Sequence, residues 1–301
     1  MAKKFAITTG AAHRSRMTYD YDVLVIGGGP AGLSGAVVLG RALRSVLVVD
    51  SGKPRNAPAE GIHNFLTRDG IPPGEFLAAG REEVRRYGGT ILDGEVVSAK
   101  AGFEITLADG STHRGRRLLV TAGLVDQLPD IPGLAERWGR TVLHCPYCHG
   151  YEVRNTSIGV IGTADPTRGG EQDATPSYER SAEQVRLWRQ WSSDVELFPA
   201  DQVAAVEDKG VRLTDGTFVA RDNLVVASRM VARADFLAQL GLEPVEHPMG
   251  IGSYLPAVDP SGRTAVEGVW VAGNVADPMA QVISAAAAGT TAGAMINFDL
   301  L

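Results

Sequence analysis

An apolar strand running into a glycine turn and an alanine-leucine helix, a similar strand and turn later in the chain, and a strand-turn-helix passage at the end predict an α/β protein. Two Rossmann-like, three-layer units are expected. The 301 residues suffice for about two domains with separate cores. A net charge of -6, with no Lys/Arg-rich run, argues against nucleic acid or an anionic membrane as the main partner and leaves a small molecule or a protein. No apolar stretch approaches the roughly 20 residues of a transmembrane helix, so no membrane association and a cytoplasmic location are expected. The first 17 residues read as an extension without a convincing export signal, and Met17 offers an alternative start.

The first unit runs from Tyr21 to Ser51 as strand, turn, helix and strand. Gly27, Gly29 and Gly32 have the G-x-G-x-x-G spacing, with Pro30 and Ala31 between, and Asp50 closes the second strand at about the distance expected of a dinucleotide site. Gly27 permits the tight turn, Gly29 lets backbone N–H groups approach a pyrophosphate, and Gly32 allows close helix-strand packing. Asp50 would accept hydrogen bonds from a ribose.

After a Pro/Asn/Gly-rich loop over 51–67, Pro72 and Pro73 open a helix with Phe76, Leu77, Val84 and Tyr87 on its apolar side. A β-meander punctuated by Asp-Gly turns follows and ends in "RLLVTAG". The strand from Ile158 begins like a second Rossmann unit, but Thr163, Ala164 and Asp165 stand where further glycines belong. No arginine cluster follows the next strand to grip a 2'-phosphate, so only the first unit keeps nucleotide-binding chemistry. The polar insert 165–181 reads as a solvated loop and Trp188 and Trp191 as core, with a pocket wall or dimer surface as the alternative. In the tail, a strand at Val269–Val271 enters a glycine turn, and a small-residue helix begins near Gln281. That helix suits close packing, and its start offers unpaired N–H groups to an electron-rich ring edge.

The chain's two cysteines lie in "HCPYCHG". Cys145-Pro-Tyr-Cys148-His149 matches a c-type haem attachment, half of a zinc site, a turn-stapling disulfide and a redox dithiol. Haem attachment needs an export signal and a distal ligand. Zinc needs a second ligand pair, and no metal is expected. A disulfide across two residues constrains little of the unfolded chain. A redox dithiol needs only what is present.

With "VIGGGPAGLSGA", the central Cys-x-x-Cys and "GVWVAGNVADPMAQVISAAAAG" in this order, the chain resembles the low-molecular-weight thioredoxin reductase group of FAD-dependent disulfide oxidoreductases. The resemblance implies a split FAD domain over 18–121 and 258–301, an inserted, degenerate nicotinamide-type domain over 122–257 carrying the dithiol, and a homodimer. His149 stands where those reductases have an acid, as does Asn274 in the C-terminal Gly-Asp signature. These departures are similar to the dithiol oxidases that close disulfides in natural products of the gliotoxin, holomycin and romidepsin type, with molecular oxygen as acceptor.

By that resemblance Gly27, Gly29, Pro30, Ala31, Gly32 and Asp50 bind the ADP part of FAD, and Asn56 lies near the isoalloxazine. Gly273 and Asn274 contact the ribitol or phosphate, and Gln281 and Val282 the pyrimidine edge. Cys145 exchanges with a small-molecule dithiol, Cys148 faces the flavin, and His149, with His144 as a second candidate, moves the proton. Electrons then pass to FAD and on to oxygen, releasing hydrogen peroxide. An NADPH-fed reductase and a non-catalytic flavin-dithiol redox sensor are the alternatives.

Overall fold

The computed structural model describes residues 19–162 and 178–301. The 1–17 extension, the absent glycines at 163–165 and nearly all of the polar insert lie outside the described residues.

In the first unit, β-branched residues make β1 (Tyr21–Ile26), which passes through the glycine turn into α1 (Pro30–Arg41) and returns as β2 (Val46–Asp50). After the loop come α2 (Pro73–Arg86), β3 (Thr90–Asp93), β4 (Val96–Lys100), β5 (Glu104–Leu107) and β6 (Thr112–Val120). β3, β2, β1 and β6 pair in parallel, whereas β4 and β5 turn back as an antiparallel ribbon on the start of β6. The expected meander therefore splits: its first strand joins the parallel sheet and only the next two form the ribbon.

A linking strand, β7 (Leu124–Gln127), leads to β8 (Val142–Leu143), the short helix α3 (Pro146–His149) and β9 (Ile158–Gly162). Then follow α4 (Tyr178–Trp188), β10 (Val195–Pro199), the antiparallel β11 (Val203–Glu207), β12 (Gly210–Leu213) and β13 (Phe218–Ala220), and β14 (Asn223–Val226). The second parallel sheet has the order β10-β9-β14-β8. Its two faces carry separate cores, one holding Val203, Val206 and Val211 of the antiparallel layer and the other Trp188 of α4. Each unit is thus a three-layer α/β sandwich, because a parallel sheet is apolar on both faces and must be covered twice. Trp188 is fully buried, as its reading as core expects.

β15 (Arg229–Ala232) pairs with β7, and the minor strands β16 (Val245–Glu246) and β17 (Ser253–Tyr254) follow. β18 (Val269–Val271) then returns to β6, and α5 (Val282–Asp299) ends the chain. The chain rejoins the first unit before the expected return at 258. Ala232, Ala234, Leu237, Leu242 and Leu255 pack under β1, β2 and β6 in the same core as the ribbon. These apolar side chains cover sheet area that the ribbon leaves bare, and burying each contributes roughly 1.5–3 kcal/mol for the leucines. Among the described residues, no helix is long and apolar enough to cross a membrane.

Candidate active site

The glycine cradle forms where β1 ends. Gly27 takes φ +110, and a Cβ there would stand 2.3 Å from the Thr121 carbonyl oxygen. The Thr121 hydroxyl donates to the Gly27 carbonyl at 2.8 Å and ties the turn to β6. A Cβ on Gly32 would meet the Gly27 carbonyl at 1.9 Å, which fixes that glycine by packing. Gly29, the N-cap of α1, faces open space; no side chain caps the helix and no acid occupies its first turn. Its first N–H groups are left for an anion. Asp50 overhangs the turn, with Oδ2 2.5 Å from where a Gly28 Cβ would be. Arg81 Nη1 donates to that carboxylate at 3.1 Å, a partner that local sequence pattern does not reveal.

α5 completes the cradle. A Cβ on Gly289 would stand 1.9 Å from the Ala31 carbonyl oxygen, and one on Gly293 2.7 Å from that of Gly35. Contacts that advance by the same step on both helices mean that α1 and α5 run parallel, so both positive ends point at one cavity. Gln281 is the N-cap of α5 and again no side chain caps it. The amide nitrogen of Asn274 lies 3.1, 3.3 and 2.9 Å from the carbonyls of Asp277, Pro278 and Ala280. This differs from the expectation that Asn274 donates to a phosphate or ribitol. Its NH2 is committed to the loop that aims α5, and only its carbonyl oxygen remains as an acceptor.

The dithiol sits at the end of β8, where Cys145 is the N-cap of α3. Both cysteines are free and partly buried. The Cys148 thiol donates to Cys145 sulfur and, against burial, joins the N–H groups of Cys148 and Tyr147 and the Arg55 charge in lowering the Cys145 pKa to about 7. Cys148 moves the other way, because its proton is held by that sulfur and its site is desolvated. The result is an acidic Cys145 thiol beside a Cys148 that keeps its S–H. Gly150 is required here by the ring of Trp191, 2.7 Å from where its Cβ would be, and Trp191 also meets Tyr147 edge-on at 5.8 Å.

Both ring nitrogens of His149 are buried without a hydrogen-bond partner, and burial holds its pKa below the usual range. The imidazole is neutral near pH 7 and able to accept a proton. His144 is also pushed down by burial and by Arg55; its Nδ1–H donates to the Val226 carbonyl at 3.3 Å. Sequence pattern misses the pair beside it. Arg55 Nε and Nη2 each donate to Asp126 at 2.7 Å, and Ser228 donates to the same carboxylate at 2.6 Å. Burial opposes ionisation of Asp126, but these partners hold its carboxyl below the usual range.

Every sequence-predicted site residue except Gly32 lines one cavity of about 1070 Å³. Asn56 borders it, and so do Arg180, Gln184 and Leu187 of α4. Among the described residues, no group of three or more His, Cys, Asp and Glu side chains is placed to hold a metal ion.

Two Rossmann-like units sharing a cavity that runs from a glycine cradle to a Cys-x-x-Cys pair define the class: a dinucleotide-fold disulfide oxidoreductase. Residues 21–164 match the pyridine nucleotide-disulphide oxidoreductase family. The chain is 33 % identical to thioredoxin reductase sirT of Leptosphaeria maculans, over 93 % of this chain and 94 % of that protein. The crystal structure of HlmI is 40 % identical with a TM-score of 0.81, covering 93 % of this chain and 92 % of that one. An oxidoreductase from Agrobacterium tumefaciens, 32 % identical, superposes with a TM-score of 0.79 over 93 % and 98 % of the two chains. The chain belongs to the thioredoxin reductase-like branch of this family, the FAD-dependent thiol:disulfide oxidoreductases.

Proposed function

We propose that the protein is a dithiol oxidase that closes an intramolecular disulfide in a small natural-product dithiol. The observation that carries this reading is the single cavity joining cradle and dithiol, whose volume slightly exceeds the roughly 300–1,000 Å³ of a one-ligand pocket and suits a cofactor with a small molecule beside it. The residues present fit FAD. Two uncapped parallel helices offer N–H groups to its phosphates and ring edge, and Asp50 offers a carboxylate to its ribose. When bound, FAD would accept two electrons from the cysteine pair and deliver them to oxygen, giving hydrogen peroxide.

The chain's own residues carry the sulfur exchange. In the oxidised pair, a substrate thiolate attacks Cys145 Sγ, the Cys145–Cys148 bond breaks, and Cys148 leaves to take up a proton. His149 removes the proton from the second substrate thiol, which attacks the mixed disulfide and expels Cys145 as thiolate. Trp138, Met230, Met249 and Ile251 give the same cavity an apolar lining that suits the carbon frame of a small substrate.

The test is an absorption spectrum of the purified protein, then oxygen uptake with a panel of small dithiols, with and without NADPH. Dithiol-dependent, NADPH-independent oxygen uptake is expected. The shared name of relatives such as sirT favours a second reading, reduction of a disulfide with NADPH; prompt anaerobic bleaching of the flavin by NADPH would establish it and overturn the first. The oxidase reading includes a cytoplasmic homodimer, checked by fractionation and sedimentation.

A further inference from the structure

The polar groups beside the dithiol pair with one another: Arg55 and Ser228 both donate to Asp126. Trp138, Met230, Met249 and Ile251 add apolar wall to the same cavity. His144, next to Cys145 in the chain, is placed differently. Its Nδ1 lies 3.3 Å from the Val226 carbonyl, which can only accept, so the proton of the neutral ring sits on Nδ1 and Nε2 carries a lone pair. Among the described residues no donor pairs with Nε2, and it is not sealed in protein; His144 borders the cavity, and the cavity is what Nε2 meets. An acceptor set in an apolar wall is costly to leave without a donor when a ligand displaces water from it.

We infer that His144 Nε2 is a specificity-determining acceptor for an N–H or O–H group of the substrate, so that the protein selects a small dithiol carrying such a donor close to its sulfurs. The inference rests on the proposed exchange at Cys145 and names a feature of the molecule that undergoes it. Acceptor and sulfur are held at a fixed offset. The His144 ring is tied to Val226, and the turn that follows is fastened by Asn64 Nδ2, which donates to the Tyr147 carbonyl inside the Cys-x-x-Cys at 2.7 Å. A few placed polar groups in an apolar pocket fix the orientation of a ligand in this way.

The surroundings favour a hydrogen bond at Nε2 over a proton. Burial and the charges of Arg55 and Arg180 push the His144 pKa down, and the Asp126 charge and the Val226 contact act the other way without restoring it. A ring held neutral in one tautomer accepts from N–H or O–H but is a poor resting place for a proton. This role differs from the proton transfer that the family resemblance implies for His144.

The test uses two dithiols that differ only in the donor: dithiothreitol, which has hydroxyls on its two inner carbons, and butane-1,4-dithiol, which has none. The flavoprotein with its Cys145–Cys148 disulfide formed is mixed anaerobically with each over a range of concentrations, and loss of the disulfide is followed by quenched alkylation and mass spectrometry. Rates at low concentration are divided by those of the same dithiol with a small-molecule disulfide, which removes the difference in intrinsic reactivity. The unsubstituted protein is expected to prefer dithiothreitol roughly 3- to 10-fold, through a lower half-saturating concentration rather than a higher limiting rate. His144→Phe, which keeps a ring but has no acceptor, should bring that preference close to one. His144→Gln, whose amide can donate to Val226 and accept from the substrate, should keep most of it. No preference in the unsubstituted protein, a preference retained in His144→Phe, or an equal loss with both dithiols, as packing or proton transfer would give, would overturn the inference. A protein that shows the preference yet consumes no oxygen with any dithiol would refute the oxidase reading and leave the His144 contact standing.

Discussion

The asymmetry of the two thiols gives a prediction that can be worked through. A cysteine of ordinary pKa, 9.0, is on the order of 1 % thiolate at pH 7, whereas Cys145 at about 7 is half ionised there. In the reduced protein, alkylation of Cys145 by iodoacetamide should therefore rise with pH around a midpoint near 7, and Cys148 should stay unmodified through that range. The first cause of the lowered value is the Cys148 S–H on Cys145 sulfur. Cys148→Ala removes that donor and should carry the midpoint upward, so that reactivity at pH 7 falls roughly tenfold; Cys148→Ser, which keeps an O–H, should restore much of it. The assay is rate against pH, with the labelled site read by mass spectrometry. The linkage has a definite sign: a folded-state pKa below the unfolded one makes reduced protein more stable as pH rises from about 7 to 9, and that gain disappears as pH falls through 7. A midpoint above about 8.5 in the unsubstituted protein, or preferential labelling of Cys148, would refute the reasoning.

Gly289→Ala places a methyl 1.9 Å from the Ala31 carbonyl, so α1 and α5 must part by about 1.5 Å to reach ordinary contact; a loss of about 1–3 kcal/mol in urea denaturation and weaker flavin retention are expected. Arg55→Met strands the buried Asp126 carboxylate and should cost about 3–5 kcal/mol, partly recovered in Arg55→Met/Asp126→Asn, as read by chemical denaturation. Asn274→Leu keeps the shape but leaves three carbonyls without their donor; a loss of about 1–3 kcal/mol and faster flavin release on dilution are the expected results.

What was legible in the sequence was local. The β1–α1–β2 passage announces itself because β-branched strands, a glycine spacing and a terminal acid lie within one short window, and the start of α5 is marked by its switch from apolar strand to small residues. The dithiol is legible because two cysteines three apart have few structural uses. Contacts between weakly patterned segments were not legible. Arg55 and Asp126 sit in a loop and a linking strand, and nothing near either residue calls for the other. The segment from Ala232 to Leu255 has scattered apolar residues with no clear period, so its membership of the first core emerges only when the bare face of the sheet is seen. His63 and Asn64 lie in a stretch that reads as generic loop, although its fastening to Tyr147 makes it part of the site.

That fastening bears on the size of the substrate. On the proposed function a small dithiol would reach Cys145 through the cavity while the Asn64–Tyr147 bond and the Arg55 contacts to Asp126 and the Pro278 carbonyl stay in place. A protein partner is larger than a cavity of about 1070 Å³, so on the same reading its reaction would draw the dithiol turn away from the loop and break the Asn64 tether. Net contributions of about 0.5–1.5 kcal/mol for such a hydrogen bond correspond to roughly 2- to 13-fold in the docked-to-undocked ratio. Asn64→Ala should therefore raise the rate with a protein partner such as reduced thioredoxin by up to about tenfold relative to the rate with dithiothreitol. Stopped-flow comparison of the two reductants measures that ratio, and a ratio unchanged by the substitution would mean that the tether does not govern access to Cys145.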